Sequence, residues 1–255
     1  MVISGLMLLP LAAQAQEADY DFDSVSEDAQ AWGEGQRVIL LQLYNSESCP
    51  FCPAAERNLK DLAADSSIIG VSCMVDYFDS GKSGILSRPF CQAQQDVYVH
   101  MLRTGSNYTP MLVMNGTLQM PGQDLQKVSK GIKSLRGRGG LPANIQISTG
   151  HETGGYDALL PDIGEGSGKY VLRITMVKHA PDSSLFGGAV KQRERNPYNI
   201  ATSLIEGGIW DGKKRVWSMQ PKPDGIADGF IVTVQDQTSG VVVAAGQAEL
   251  VSPVR

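Results

Sequence analysis

Residues 38–64 read VILLQLYNSESCPFCPAAERNLKDLAA, an apolar run followed by a polar turn and a Cys-Pro-Phe-Cys motif. The run at 38–44 has the length and continuous apolar character of a strand buried on both faces of a parallel sheet. From Cys49 to Ala64 apolar residues recur at helical spacing, and Pro50 suits the first turn because no N–H is needed there. The motif is therefore predicted to open a helix directly after a buried strand.

The position of Cys49 and Cys52 at the start of a helix suits them for thiol–disulfide exchange. Unpaired N–H groups and the dipole at a helix N-terminus stabilise an anion, which favours the thiolate that acts as nucleophile in thiol–disulfide exchange. A second cysteine one helical turn further on reaches the first and resolves the mixed disulfide. We therefore predict that Cys49 attacks and that Cys52 resolves, with the nearby Glu47 opposing thiolate formation.

The composition excludes several protein classes. The chain has 255 residues, a formal charge of −5, 42% hydrophobic residues and four cysteines. Such a chain has material for a packed core, is not disordered, and lacks the basic character that bulk nucleic-acid binding requires. Four cysteines are too few to be the main scaffold, and a typical domain of roughly 150 residues predicts one large or two modest domains.

The N-terminus predicts export. Residues 1–15 contain a short apolar run and end in Ala13-Gln14-Ala15, which is typical of a Sec-type signal peptide, and residues 16–35 form an acidic leader. No other segment approaches the ~20 apolar residues of a membrane span. A periplasmic or secreted location is expected, where disulfides persist.

The rest of the chain changes character near residue 140. Up to residue 136 the patterns predict strand, helix, strand, helix, a strand with the hairpin turn Asn115-Gly116, and a final helix. Residues 136–140 are predicted to be a linker. Beyond it, short alternating runs predict a smaller antiparallel β-rich domain at 141–255. The expected fold class is α/β for residues 36–136, followed by this β-rich domain.

This order resembles the thioredoxin superfamily. More closely, the chain resembles a bacterial family of secreted thioredoxin-like proteins catalogued as a domain of unknown function. The segments that carry the resemblance are LYNSESCPFCPAAER at 43–57, VDYFD at 75–79, YTPM at 108–111, RERN at 193–196 and GIWDG at 208–212.

The resemblance implies further site residues. Thr109-Pro110 matches the cis-proline of the superfamily, which would face Cys49 and help to bind an extended substrate chain, with Thr109 and Phe51 as substrate contacts. An ordinary trans turn proline is the alternative. Met74 departs from the family pattern, which often has histidine there, so any assistance from that histidine is absent.

Asp76 follows the second predicted strand. Strands joined through a helix run parallel and end at one sheet edge, so Asp76 is expected near Cys49 and Cys52. A partly buried carboxylate there would accept the proton of Cys52, and a structural hydrogen-bonding role is the alternative.

Cys73 and Cys91 lie on the second strand and early in the following helix. The preferred hypothesis is a structural disulfide that pins this connection, and buried free thiols are the alternative. A zinc site that combines them with Cys49 and Cys52 is disfavoured by the missing second Cys-x-x-Cys motif and by export. No metal and no cofactor is expected.

These residues predict an exported protein thiol–disulfide oxidoreductase. Its partners would be protein thiols or a redox partner protein, with no nucleic acid involved. Two alternatives stay open: a non-catalytic binding module that uses the β-rich domain, and a copper-handling protein in which the cysteines and nearby methionines hold Cu(I).

Overall fold

The computed structural model describes residues 37–78, 86–150, 154–164, 169–179, 195, 197–222 and 225–251. The predicted signal peptide at 1–15 and the leader at 16–35 lie outside them. The described chain contains three helices, α1 (Cys52–Leu62), α2 (Pro89–Met101) and α3 (Leu125–Gly137). Its strands are β1 (Ile39–Asn45), β2 (Ile68–Met74), β3 (Met111–Met114), β4 (Leu118–Pro121), β5 (Ala143–Asn144), β6 (Gln146–Thr149), β7 (Tyr156–Leu160), β8 (Tyr170–Lys178), β9 (Ile200–Trp210), β10 (Arg215–Met219), β11 (Gly229–Asp236) and β12 (Val242–Glu249).

Nine strands form one mixed sheet in the order β4-β3-β1-β2-β9-β8-β11-β12-β5, and β10-β7-β6 form a small antiparallel sheet. β1 and β2 run parallel, as a strand–helix–strand connection requires, whereas β3 is antiparallel to both β1 and β4. In the second half, β8 is antiparallel to β9 and β11, and β11 is antiparallel to β12. The predicted mixed α/β class is confirmed at this level.

The large sheet continues across the predicted domain boundary. β2 pairs in parallel with β9 at Ser72 and Ile200. The backbone N–H of Ser72 donates to the carbonyl of Asn199 at 3.0 Å, and the side-chain amide of Asn199 donates to the carbonyl of Gly70 at 3.0 Å. The division into domains at 36–136 and 141–255 stays a prediction, and one sheet joins the two parts.

β1 is buried on both faces, as its continuous apolar sequence predicts. Ile39, Leu41 and Leu43 belong to a core cluster that also contains residues of α1 and α3. Leu40 and Tyr44 point to the other face, in a cluster that includes residues of α2 and of the second half of the chain. The central strand is thus covered by helices on both sides, and its carboxyl end leads into the Cys-Pro-Phe-Cys motif.

The start of α1 differs from the prediction. The helix begins at Cys52 with Phe51 as its N-cap, and Pro53 takes the first-turn position that was expected for Pro50. Before it, the N–H of Cys49 donates to the carbonyl of Ser46 at 3.4 Å, and the N–H of Cys52 donates to the carbonyl of Cys49 at 3.3 Å. Cys49 therefore lies in a turn that precedes the helix, because successive short-range hydrogen bonds replace the first expected helical turn.

Candidate functional site

Cys49 and Cys52 form a disulfide at the carboxyl end of β1, with their Cα atoms 5.4 Å apart. Cys52 is the first residue of α1, and the first turn of this helix contains no acidic residue. The side chains of the two cysteines are buried, at 1% and 0% exposure, whereas Phe51 between them is 62% exposed. The motif therefore presents an apolar ring to solvent and keeps its sulfur atoms beneath the surface.

Thr109 and Pro110 lie at the same edge of the sheet. β3 pairs with β1 so that Met111 faces Tyr44, which places Pro110 beside the end of β1 where the motif begins. The Thr109–Pro110 peptide bond is cis, and the carbonyl of Pro110 accepts the N–H of Gly122 at 3.0 Å. The hydroxyl oxygen of Thr109 is buried and has no hydrogen-bond partner among the described residues.

Two glutamines anchor the segment before Pro110. The side chain of Gln95, on α2, donates to the carbonyl of Tyr108 at 2.8 Å. Burial raises the pKa of the Tyr108 hydroxyl to about 12, so this group is protonated at neutral pH and donates to Gln119 of β4. Helix α2 and strand β4 thus hold the Thr109–Pro110 turn from two sides.

Asp76 is exposed, so the partial burial expected for its carboxylate is wrong. The reason is local: β2 ends at Met74, Val75 is the last buried residue, and the chain then turns outward. Tyr77 and Phe78 follow it and are 39% and 45% exposed. The structure gives Asp76 no hydrogen bond to the cysteines and leaves it at the open end of the strand.

A buried polar cluster joins the end of β1, the turn before Cys49 and helix α1. Arg195 and Glu56 form an ion pair in which both side chains are 0% exposed. Arg195 Nη1 also donates to the carbonyl of Ser46 at 2.9 Å, and the amide of Asn45 donates to Glu56 Oε1 at 2.8 Å. Glu47 is buried as well, and its carboxylate accepts the N–H of Leu86 at 2.9 Å.

Sequence reasoning missed Arg195 and Glu56 as site residues. The available signal was Glu56 itself, because a carboxylate next to Ala55 and three residues before Leu59 lies in a buried helical stripe and requires a counter-charge. Nothing in the spacing identifies the partner, since Arg195 follows Glu56 by 139 residues.

Cys73 and Cys91 form a second disulfide that joins β2 to α2, with a Cα–Cα distance of 5.2 Å. Both side chains are buried, at 3% and 0% exposure. They belong to the core cluster on the α2 face of the sheet, whereas α1 packs on the opposite face. This disulfide is therefore separated from the Cys49–Cys52 pair by the sheet.

Metal-binding and membrane-spanning features are not found in the described part of the chain. The four cysteines are divided between two separate disulfides, and no group of three or more His, Cys, Asp or Glu residues suited to a metal occurs among the described residues. None of the described helices has the length and apolar character that crossing a bilayer demands. Two disulfides are typical of a protein in an oxidising compartment.

Comparison with known proteins gives a family and two similar folds. The family described as "Protein of unknown function (DUF1223)" matches residues 40–235. The crystal structure of protein AGR_C_4864 from Agrobacterium tumefaciens is similar with a TM-score of 0.72 and 19% identity, over 88% of this chain and 98% of that one. HBP35 of Porphyromonas gingivalis is similar with a TM-score of 0.53 and 11% identity, over 86% of this chain and 76% of that one. No match was found among curated proteins.

Proposed function

Because the chain belongs to the DUF1223 family of proteins of unknown function, its activity must be inferred from its site, and we propose that it is an exported thiol–disulfide oxidoreductase. The observation that carries this proposal is the Cys49–Cys52 disulfide at the start of α1, at the sheet edge that also holds the cis Thr109–Pro110 bond. A dithiol there benefits from the helix dipole, and the turn beside it is ordered to receive an extended chain.

The reaction is an exchange of two electrons. In the reduced protein the Cys49 thiolate attacks one sulfur of a partner disulfide, and the other partner sulfur leaves as a thiolate and takes up a proton. The Cys52 thiolate then attacks Cys49 Sγ, closes the disulfide seen in the structure, and releases the second partner thiol. The same steps in reverse oxidise a partner dithiol. The role of Asp76 as acceptor of the Cys52 proton stays a prediction, and its side chain is exposed just after β2.

The proposal extends to fold and location. The order β1-α1-β2-α2-β3-β4-α3 supports a thioredoxin-like unit at 36–136, with the β-rich part at 141–255 as a second unit. Two buried disulfides support an oxidising compartment, in agreement with a signal peptide at 1–15 and an acidic leader at 16–35. Protein thiols or a redox partner protein are the proposed partners, and Thr109 and Phe51 the proposed substrate contacts.

A defined disulfide-bonded peptide tests the activity. The reduced protein should convert it to the dithiol form, and Cys52→Ala should stop at a mixed disulfide that mass spectrometry locates on Cys49. Cys49→Ala is the matched control and should form no mixed disulfide. If Cys52→Ala traps no peptide and the wild-type protein exchanges none, the proposed activity is wrong.

One observation favours a second candidate, a non-catalytic binding module with an inert disulfide. The sulfur-bearing side chains are only 1% and 0% exposed, so a protein thiol reaches Cys49 only after a local opening. A reduction potential below about −300 mV, together with no exchange, would support this candidate. A higher potential with peptide exchange would exclude it.

A further inference from the structure

The guanidinium of Arg195 contacts both segments that flank the redox motif. Nη1 donates to the carbonyl of Ser46 at 2.9 Å and to that of Glu47 at 3.4 Å, in the turn that leads to Cys49. Nη2 donates to the carboxylate of Glu56, on α1. One side chain from the second half of the chain therefore holds the residues on either side of the motif.

Glu56 stands one helical turn after Cys52, on the same side of α1. Its Oε1 also accepts the Asn45 amide at 2.8 Å, so the end of β1, the turn and the helix converge on this carboxylate. A planar guanidinium can satisfy carbonyl and carboxylate acceptors at once, which a lysine ammonium does less well. The contacts fix the position of the turn relative to the helix.

Arg195 places a positive charge beside a buried carboxylate of the motif region. Glu47, in the turn before Cys49, and Glu56, on α1, are both buried, and Glu56 forms an ion pair with Arg195. Among the other charged groups at this edge, Asp76 is exposed and Arg88 donates to the carbonyls of Ser87 and Thr202. A buried negative charge disfavours a nearby thiolate, and an adjacent guanidinium compensates it.

We propose that Arg195 is a positioning residue that links the second half of the chain to the redox pair. By neutralising Glu56 beside the turn that it contacts, it sets the equilibrium between the Cys49–Cys52 disulfide and the dithiol. Stabilising a thiolate stabilises the reduced form and makes the pair more oxidising. The consequence for turnover rests on the proposed function, but the equilibrium is a property of the protein alone.

Two substitutions of opposite sign test this role. In the full chain, Arg195→Met removes the positive charge that pairs with Glu56, so we expect higher thiol pKa values and a tenfold smaller equilibrium constant for reduction by glutathione. For this two-electron couple, tenfold corresponds to about 30 mV toward more negative potential. Glu56→Gln removes the negative charge that pairs with Arg195 and should shift both quantities in the opposite direction. Thiol pKa values come from the pH profile of iodoacetamide alkylation of the reduced protein.

Three further variants keep the test decisive. The double variant Glu56→Gln/Arg195→Met removes both charges of the pair at once and should return within twofold of the wild-type equilibrium constant, even if a single variant fails to fold. Arg195→Lys keeps the charge and should also stay within twofold. Arg136→Met is the control, because it removes an exposed ion pair between Arg136, on α3, and Asp65, between α1 and β2, and should change nothing.

If Arg195 acted only through protein stability, the two single variants would not shift the equilibrium constant in opposite directions. If both single variants shift the equilibrium constant in the same direction, or if neither shifts it by more than twofold, the proposal is overturned. If the single variants do not fold, a shift of more than twofold in the equilibrium constant of the double variant or of Arg195→Lys also overturns the proposal. Failure of the wild-type protein to exchange the peptide disulfide would instead refute the proposed function, since the glutathione equilibrium requires no turnover.

Discussion

The amide oxygen of Asn199 lies 2.6 Å from Nδ1 of His179 and accepts a hydrogen bond from the ring. The orientation of the Asn199 amide is fixed by its other end, because Asn199 Nδ2 donates to the carbonyl of Gly70 at 3.0 Å. Nε2 of His179 lies 2.6 Å from the carboxylate of Glu249. Because both neighbours are acceptors, the two contacts favour the doubly protonated, positively charged imidazole.

Stability should therefore depend on the charge of His179. Burial lowers its pKa, but the hydrogen bonds to Asn199 and Glu249 and the charges of Glu249 and Asp228 outweigh burial and raise the pKa overall. A raised pKa in the folded state gives a stabilisation that is complete below the unfolded value of about 6.5 and is lost as pH rises through the folded pKa. Water screens this partly exposed pair, so we expect no more than about 1 kcal/mol.

Thermal unfolding from about pH 5.5 to about pH 8.5 measures this effect. The difference in Tm between the wild-type protein and His179→Gln should be largest at the acidic end and decline toward the alkaline end. His100→Gln, at an exposed position in the last turn of α2, is the control and should show a constant difference. A constant difference for His179→Gln as well would contradict the charged ring.

Gly116→Ala should destabilise the protein by about 3 kcal/mol. Gly116 has a positive φ of 66°, and a Cβ there would lie 2.3 Å from the carbonyl oxygen of Gly240. The turn that contains it also joins the two halves, since the carbonyl of Asn115 accepts the N–H of Val242 at 3.0 Å. Urea unfolding of this variant measures the loss.

Gly137→Ala is the matched control, because this glycine ends α3 and a Cβ would contact nothing within 4 Å. Alanine is the better helix former, so this variant should be neutral or more stable by up to about 1 kcal/mol. Equal losses at both positions would show that Gly116 is not constrained by the approach of Gly240.

Local patterns predicted the first half of the chain well because they depend on neighbours in sequence. The apolar run of β1 and the Asn115-Gly116 turn are where the sequence places them. The apolar spacing of α2 predicts a buried stripe that contains Val97 and Tyr98. Tyr98 is buried, but Val97 is 45% exposed, and Cys91 and Gln95 are buried instead. The disulfide to β2 turns Cys91 inward, and the helix face follows from that distant contact rather than from its own hydrophobic pattern.

Local sequence patterns could not predict the Arg195–Glu56 pair either, because the two residues are distant in sequence. A helix periodicity shows that Glu56 lies on a buried stripe, but its partner is set by how β9 and the chain before it meet β2. The candidate site was thus predictable in its cysteines and its cis-proline turn, and unpredictable in the long-range contacts that hold them.

The two disulfides should differ in their contribution to stability. Cys73 and Cys91 are 18 residues apart, and the chain-entropy relation gives about 3 kcal/mol for a loop of this size. Cys49 and Cys52 are 3 residues apart, for which the same relation gives roughly 1.5 kcal/mol. Urea unfolding of Cys73→Ser/Cys91→Ser should therefore show the larger loss. A larger loss in Cys49→Ser/Cys52→Ser would contradict the assignment of the structural role to Cys73 and Cys91.

Phe51→Ser should weaken the use of a peptide substrate without slowing the chemical step. The ring is 62% exposed between the two cysteines, so it gains apolar contact only when a substrate covers it. Burying part of a phenylalanine ring contributes roughly 1–2 kcal/mol, which predicts a rise in KM of about tenfold with kcat unchanged.

Val97→Ser is the matched control for Phe51→Ser, because Val97 is 45% exposed on α2, which packs on the face of the sheet opposite to α1. This variant should leave KM and kcat unchanged, and both variants should unfold at the wild-type temperature, since neither removes a buried contact. A fall in kcat for Phe51→Ser at constant KM would show that the ring acts on the sulfur chemistry itself. An effect of equal size in Val97→Ser would remove the case for Phe51 as a substrate contact, because exposure alone would then account for the loss.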